Sequence, residues 1–290
     1  MTLDTELHPT TGLVFDRVGS GPPTVLIHGL GSSRTIWTPL IEELAQQRDL
    51  ILVDMPGFGE TPPLPEEIEP SAGHIAGMVI SLLDDLGLCR PHLVGHSFGG
   101  WVALEVAARG RASSVTAVAP AGLWKESMPP VTRTALRGLR LLTQRFGPLA
   151  PALVHSQIAR TALLWPQSGR PWAVKPEDIL REVRGYATCP GFEPTLRATV
   201  GRRFDGKAGL DVPVTVITGR RDLVIDRWQS QQRDLLPASA RWVELPGSGH
   251  VPQWDATDAL TRLVLDGSSA PLRPFRHPRA GRARGDEARA

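Results

Sequence analysis

The sequence of 290 residues predicts an α/β fold, a doubly wound and mainly parallel sheet with an inserted helical cap. Short apolar runs alternate with helical patterns, which is typical of βαβ units. Several of these runs contain consecutive apolar residues, which indicates strands that are covered on both faces. The alternation stops after Leu123 and resumes after Gly209, which predicts a helical insertion between two halves of one core.

Seven apolar runs are predicted to be strands. They cover residues 12–18, 24–27, 50–53, 91–94, 114–119, 213–217 and 240–245. Helices are predicted near residues 71–87 and from Trp101 to Ala108, shortly after the fourth strand. Because the carboxyl ends of parallel strands meet at one edge of a sheet, side chains that follow different strands are expected to lie together there.

These elements divide the chain into four segments. Residues 1–122 are predicted to form the first part of the core, 123–209 the helical cap, 210–266 the second part of the core, and 267–290 a disordered basic tail. The cap is expected to lie over the carboxyl ends of the strands, where open α/β sheets bind ligands. The tail is rich in Arg, Ala, Pro and Gly and holds too few apolar residues to form a core.

The composition favours a cytoplasmic protein with no transmembrane segment. The first residues lack the basic region and apolar run of a secretory signal, and no apolar run approaches the roughly 18 residues of a membrane span. Cys89 and Cys189 lie beside neither a metal-ligand pattern nor a nucleophile motif, so both are expected to be free thiols. A hydrophobic fraction of 41% is sufficient for a large buried core.

Basic residues concentrate in the predicted cap, which holds fourteen Lys or Arg against six Asp or Glu. Within residues 132–142, three arginines share one helical face and three leucines another: Arg133, Arg137 and Arg140, and Leu136, Leu139 and Leu142. We expect a cap helix with a solvated arginine face; peripheral contact with anionic lipid or an acidic substrate is the alternative. No specific nucleic-acid partner is predicted.

The stretch from Gly95 to Gly100 carries the strongest functional signal. Its sequence is Gly-His-Ser-Phe-Gly-Gly, and it joins a predicted strand to a predicted helix. A serine between small residues at such a junction is typical of the nucleophile elbow, in which a strained turn exposes the serine hydroxyl. Ser97 is therefore predicted to be a nucleophile, and a tight βα turn without a catalytic role is the alternative.

A serine hydroxyl needs a positioned base, and the base needs an orienting carboxylate. His250 follows the last predicted strand within Gly-Ser-Gly-His-Val-Pro, and Asp222 follows the preceding strand. The predicted catalytic residues are thus Ser97, Asp222 and His250, in the Ser–Asp–His chain order of α/β-hydrolases. Asp226 is the competing acid, in which case Asp222 would cap a helix.

With these motifs the chain resembles the α/β-hydrolase superfamily over about residues 12–265. The resemblance includes His28-Gly29, a dipeptide that in this family precedes one oxyanion-hole amide. It implies that the backbone N–H groups of Leu30 and Phe98 form the oxyanion hole.

Other residues near the predicted cleft are candidates for its wall or its support. The candidate substrate-lining residues are His28, Gly29, Trp37 and Trp124. His28 is also expected to be a hydrogen-bonding support rather than a base, because one base suffices. Asp54, in a turn similar to the family's Asp-x-Pro-Gly-x-Gly, and Asp255 are expected to anchor loops, and His96 to be packed away from the site.

The resemblance implies a serine hydrolase that cleaves an ester or related small acyl substrate through an acyl-enzyme, without metal or cofactor. Epoxide hydrolases and haloalkane dehalogenases attack with a carboxylate at the elbow, so Ser97 argues against both. Cofactor-free haloperoxidase or perhydrolase chemistry and carbon–carbon-bond hydrolysis are alternatives, since both keep a serine. A small-molecule receptor of the same fold is the non-enzymatic alternative. Substrate identity and oligomeric state are left open by the sequence.

Overall fold

Eight strands form one sheet in the computed structural model, which describes residues 4–225 and 230–268. The strands are β1 Asp4–Leu7, β2 Val14–Gly19, β3 Pro23–Ile27, β4 Asp49–Val53, β5 His92–His96, β6 Ser114–Val118, β7 Val214–Gly219 and β8 Arg241–Leu245. Their order across the sheet is β1-β2-β4-β3-β5-β6-β7-β8. In this order across the sheet, every neighbouring pair from β4 onward is parallel. Strand β2 pairs antiparallel with both β1 and β4. The predicted α/β class with a mainly parallel sheet is therefore confirmed.

Ten helices accompany the sheet in the described part of the chain. They are α1 Thr38–Leu44, α2 Ala72–Asp85, α3 Phe98–Ala108, α4 Pro130–Phe146, α5 Ala150–Leu153, α6 Gln157–Leu164, α7 Pro176–Thr188, α8 Phe192–Thr199, α9 Pro252–Asp255 and α10 Thr257–Ser268. Helices α4 to α8 lie between β6 and β7, where the strand pattern of the sequence stops. None of the helices among these residues is long and apolar enough to cross a membrane.

The sheet separates two apolar cores, and alternate residues of its strands enter different ones. On β3, Val25 and Ile27 pack with α2 and α3, whereas Leu26 packs on the opposite face with α1 and α10. All three side chains are fully buried. Burial on both faces is the reason that these strands are continuous apolar runs in the sequence.

The edge strand β1 was not predicted from the sequence. All four of its residues are exposed, so it lacks the apolar alternation that marks a half-buried strand. It is held by its antiparallel ladder to β2 and by a 2.6 Å hydrogen bond from Thr5 Oγ1 to Asp16 Oδ1. Its position depends on its neighbour and not on its own pattern.

Helix α10 ends at Ser268, two residues beyond the predicted end of the core at residue 266. Arg48 Nε donates to Ser268 Oγ at 2.8 Å, and another guanidinium nitrogen of Arg48 donates to the carbonyl oxygen of Leu265 at 3.2 Å. The start of the predicted tail is therefore corrected, since Gly267 and Ser268 belong to a packed helix. The rest of that predicted segment lies outside the described residues.

Two arginines of α4, Arg137 and Arg140, contact protein, whereas Arg133 is exposed, so the expectation of a solvated arginine face is corrected in part. The Arg140 guanidinium donates to the carbonyl oxygen of Tyr186 at 2.7 Å and lies 4.7 Å from the centroid of the Phe192 ring. Arg137 forms an ion pair with Glu193. These arginines therefore hold α4 against α7 and α8, because the last carbonyl groups of a helix and an aromatic face both attract a guanidinium group.

Candidate active site

Ser97 lies in the turn between β5 and α3, and its backbone is strained. Its φ of 54° and ψ of −117° are rare for a residue with a side chain. Glycines permit the turn: a Cβ on Gly95 would lie 2.6 Å from Gly100 Cα, and a Cβ on Gly99 would lie 2.7 Å from the carbonyl carbon of Ile27. A backbone hydrogen bond of 2.8 Å from Ser97 N–H to the Val118 carbonyl oxygen holds the residue in place. Backbone strain at a serine that faces a cavity is typical of a nucleophile elbow.

Asp222 and His250 are hydrogen-bonded to each other. Asp222 Oδ2 lies 2.8 Å from His250 Nδ1, and both side chains are buried. The other carboxylate oxygen accepts from the backbone N–H groups of Val224 and Ile225, each at 2.9 Å. With both oxygens engaged, the carboxylate is held in one orientation toward the imidazole. The competing acid Asp226 lies outside the described residues.

The loop that carries His250 is anchored on two sides. Arg221 N–H donates to the carbonyl oxygen of Ser248 at 2.8 Å, which joins this loop to the Asp222 loop. The buried Asp255 carboxylate accepts from Gly249 N–H at 2.7 Å and from Gly169 N–H at 2.8 Å. Asp255 therefore ties the His250 loop to the segment between α6 and α7, and it contacts neither the imidazole nor Ser97 among the described hydrogen bonds.

The hydrogen bond to Asp222 determines which imidazole nitrogen is free. A carboxylate accepts, so Nδ1 of His250 carries the proton and Nε2 has a free lone pair. Ser97 and His250 line the same cavity. Within the described residues no hydrogen bond joins the two side chains, and in sites without substrate such a contact is often long.

Two backbone amides beside Ser97 have no acceptor among the residues that the structure describes. The N–H groups of Leu30 and Phe98 make no hydrogen bond within the described residues, and both residues line the cavity. Phe98 begins α3, so its N–H is one of the unpaired donors of a helix N-terminus. The loop that carries Leu30 packs on the nucleophile, since a Cβ on Gly29 would lie 3.0 Å from Ser97 Cβ. This arrangement can bind an anionic oxygen next to Ser97.

The cavity has a volume of about 70 Å³ and a mostly apolar wall. Gly29 and Trp124 belong to this wall, together with Leu136 of α4 and Tyr186 of α7. Helices inserted between β6 and β7 therefore cover the edge of the sheet at which Ser97 lies. A small, covered and apolar site excludes water and strengthens the electrostatic interactions inside it.

Two of the candidate lining residues lie elsewhere. Trp37 is fully buried in the core on the α1 and α10 side of the sheet and does not line the cavity. His28 is also fully buried: its Nδ1–H donates to the Gly29 carbonyl oxygen at 2.7 Å, and its Nε2 accepts from Met55 N–H at 3.0 Å. Burial lowers the pKa of His28, so it is neutral and supports the Leu30 loop through hydrogen bonds.

His96 contacts the site, although the sequence suggested that it is packed away from it. Its Nε2 lies 2.8 Å from the carbonyl oxygen of His250, and the two rings are 4.9 Å apart. The carbonyl accepts, so Nε2 carries the proton, and the buried Nδ1 has no hydrogen-bond partner within the described part of the chain. Burial lowers the pKa of His96 to about 3, so the ring is neutral and adds no charge beside His250. In the sequence, the position of His96 directly before Ser97 is the signal that could have indicated this contact.

A buried ion cluster supports the turn after β4. The Asp54 carboxylate accepts from Arg34 N–H at 2.6 Å and from Glu60 N–H at 3.0 Å, and it pairs with the Arg34 guanidinium. The guanidinium also contacts Asp16 at 2.8 Å. Burial acts to lower the pKa of Arg34, but the hydrogen bond to Asp16 and the charge of Asp54 hold it above its ordinary value. Asp54 thus anchors this turn, beside the loop that carries Leu30.

Glu182 of α7 is an acidic residue in the cavity wall that the sequence did not single out. Burial raises its pKa to about 7, and a hydrogen bond with Ser32 opposes that shift. No motif surrounds Glu182 in the sequence, so only the packing of α7 against the core reveals its position.

Residues 24–263 match the family model described as "Alpha/beta hydrolase family". Over 202 residues the chain is 34% identical to epoxide hydrolase EphH of Mycobacterium tuberculosis, covering 67% of this chain and 93% of that protein. A thermophilic esterase from Thermogutta terrifontis aligns with a TM-score of 0.69 and 22% identity, over 92% of this chain and 97% of that one. The enol-lactonase from Burkholderia xenovorans LB400 aligns with a TM-score of 0.70 and 22% identity, over 91% of this chain and 98% of that one. At such identities the two structures show a shared fold.

Proposed function

The chain belongs to the alpha/beta hydrolase family and is a hydrolase, and we propose that it cleaves a carboxylic ester or a related small acyl compound with Ser97 as nucleophile. The observation that supports this most is the 2.8 Å hydrogen bond between Asp222 and His250, with His250 facing the same cavity as the strained Ser97. The unpaired amides of Leu30 and Phe98 in that cavity add a site for a developing oxyanion.

In the proposed mechanism, Nε2 of His250 takes the proton from Ser97 Oγ as that oxygen attacks the substrate carbonyl carbon. Asp222 keeps the imidazole in the required tautomer and stabilises the imidazolium that forms. The Leu30 and Phe98 amides bind the oxyanion, and His250 then protonates the leaving alkoxide. Water, deprotonated by His250, attacks the acyl-serine ester; the bond to Ser97 Oγ breaks, His250 returns the proton to that oxygen, and the acid is released. This route uses no metal or cofactor.

We further propose that residues 123–209 act as a cap on a core formed by residues 1–122 and 210–266. The support is that α4 and α7 supply part of the wall of the same cavity that Ser97 and His250 line. In this arrangement the cap sets which acyl and alcohol groups fit, while the core supplies the reacting groups.

Opening of an epoxide is the second candidate, because the relative from Mycobacterium tuberculosis is named as an epoxide hydrolase. A carboxylate that attacks an epoxide forms an ester, which water can cleave. Attack by Ser97 would form an ether, which a histidine base cannot hydrolyse. The chemistry of a serine elbow therefore favours the acyl substrate.

The deciding experiment compares p-nitrophenyl butyrate and styrene oxide as substrates of the purified chain. Ser97→Ala and His250→Ala are each expected to lower ester turnover by about 10³-fold or more, with unchanged melting temperatures. Ser113→Ala, outside the cavity, is the matched control and is expected to behave as the wild type. Mass spectrometry of the quenched reaction is expected to locate the acyl group on Ser97. Epoxide turnover without ester turnover, or full activity of Ser97→Ala, would refute the proposal.

A further inference from the structure

We propose that the catalytic cavity continues into an apolar groove among α4, α6 and α7, and that this groove holds the hydrocarbon chain of the substrate. The substrate class is then an ester with a linear alkyl chain of medium or greater length. This inference rests on the proposed esterase function and adds the substrate class to it.

The groove and the cavity share part of their walls. Five residues line both: Leu139, Gln167, Glu182, Tyr186 and Trp254. The groove has a volume of about 320 Å³, against about 70 Å³ for the cavity beside Ser97. The larger groove therefore adjoins the cavity that holds Ser97.

Beyond this shared wall the groove is apolar. Its lining there includes Leu142 and Phe146 of α4, Leu153 of α5, and Ala159, Ala162 and Leu163 of α6. The hydroxyl of Thr143, which also faces the groove, donates to the Arg140 carbonyl oxygen of its own helix at 2.8 Å. This part of the wall thus offers little to recognise a sugar, a phosphate or a charged group.

Some apolar side chains of the groove are exposed, although Leu164 and Val183 in its wall are buried. Leu142 is 56% exposed and Phe146 is 47% exposed. An exposed apolar patch that adjoins a binding cavity is typical of a ligand-binding groove. Because five residues of its wall also line the cavity beside Ser97, we assign the patch to an alkyl chain attached to the reacting ester rather than to a separate partner.

The size of the effect follows from the burial of methylene groups. A groove of about 320 Å³ has space for several methylene groups. Each methylene that leaves water for this groove is expected to raise kcat/KM by at most about fourfold. Chain length is therefore the property to vary.

The first test compares a groove variant with a matched variant on the same helix. Ala159→Trp fills the groove, whereas Ile158→Trp adds the same ring at a residue that is 84% exposed and outside the groove wall. The wild type is expected to prefer p-nitrophenyl dodecanoate over p-nitrophenyl acetate. Ala159→Trp is expected to lower the ratio of kcat/KM for the dodecanoate to kcat/KM for the acetate by at least about tenfold, which is the effect of displacing two methylenes. Ile158→Trp is expected to leave this ratio unchanged. Ala162→Trp repeats the test at a second groove position.

The chain can belong to the acid or to the alcohol of the ester, and two substrate series separate these sources. In p-nitrophenyl esters only the acyl chain varies, and in alkyl acetates only the alcohol chain varies. Dependence on Ala159 in either series supports the groove and identifies the source. A length preference that is absent from both series, or equal in Ala159→Trp and the wild type, overturns the proposal.

A binding measurement separates this inference from the proposed function. Sodium dodecanoate is titrated calorimetrically into Ser97→Ala and into Ser97→Ala with Ala159→Trp, where no turnover is required. At least about tenfold weaker binding by the double variant supports the groove even if ester turnover fails. Equal binding overturns it even if esters are cleaved. A change of oligomeric state in Ala159→Trp, with chain-length preference intact, would instead assign the groove to a second copy of the chain and also overturns the proposal.

Discussion

Replacing Gly249 by alanine is expected to displace His250 and to lower both stability and activity. A Cβ on Gly249 would lie 2.5 Å from the backbone carbonyl oxygen of Gln167 and 2.9 Å from Gly169 N. Side-chain carbons essentially never approach closer than 3.0 Å, so the loop must move by at least the difference of 0.5 Å. The atoms that this Cβ would meet belong to the backbone of Gln167 and Gly169, so no flexible side chain can move aside to relieve the contact.

The cost follows from that displacement. Overpacking of this kind destabilises a protein by about 1–3 kcal/mol. A 1 Å misplacement in an active site can lower the rate about 100-fold, so half that distance is expected to lower kcat/KM about tenfold. The affected geometry is the 2.8 Å hydrogen bond between His250 and Asp222, because Gly249 directly precedes the histidine.

Urea unfolding and initial rates with p-nitrophenyl butyrate measure the two effects. Gly138→Ala is the matched control: a Cβ there meets nothing within 4 Å, and alanine in a helix is about 0.5–1 kcal/mol more favourable than glycine. The steric reasoning about this loop would be refuted if the free energy of unfolding of Gly249→Ala stayed within about 0.5 kcal/mol of the wild type and its kcat/KM within about twofold.

Three further predictions concern the groups around the site. Asp222→Asn is expected to lower kcat about 10⁴-fold with little change in melting temperature, since Asn can still accept from the neighbouring amides; wild-type turnover would contradict its role. Arg34→Met leaves buried carboxylates unpaired, so urea unfolding is expected to show a loss of about 3–5 kcal/mol, against less than about 1 kcal/mol for Arg17→Met, whose side chain is 41% exposed. Equal losses would contradict this account. Burial raises the pKa of Glu182 to about 7 from 4.5, so ionisation in this window destabilises the folded state. Between pH 4 and 8 the wild type is therefore expected to lose up to about 3 kcal/mol of stability relative to Glu182→Gln, and a constant difference in urea unfolding would contradict the shift.

The sequence predicted the core and the chemistry-bearing loops because their signals are local. Continuous apolar runs mark buried parallel strands, and the glycines around Ser97 mark a turn that no larger residue permits. The positions of Asp222 and His250 just after β7 and β8 then follow from the rule that parallel strands end at one edge. Their catalytic roles stay predictions, although the structure joins the two side chains by a hydrogen bond.

Tertiary packing decided the features that depend on distant parts of the chain. The exposed strand β1 has no pattern of its own, and Trp37 has the same apolar character whether it packs in a core or lines a cavity. The contacts of His96 with His250 and the position of Glu182 in the cavity wall arise only when separate elements meet. A sequence period specifies which face of an element is apolar, but not which neighbour covers that face. By itself the sequence therefore determined the fold class and the strand-end residues, whereas the folded chain determined the walls of the cavity and groove, because those walls combine side chains from helices far apart in sequence.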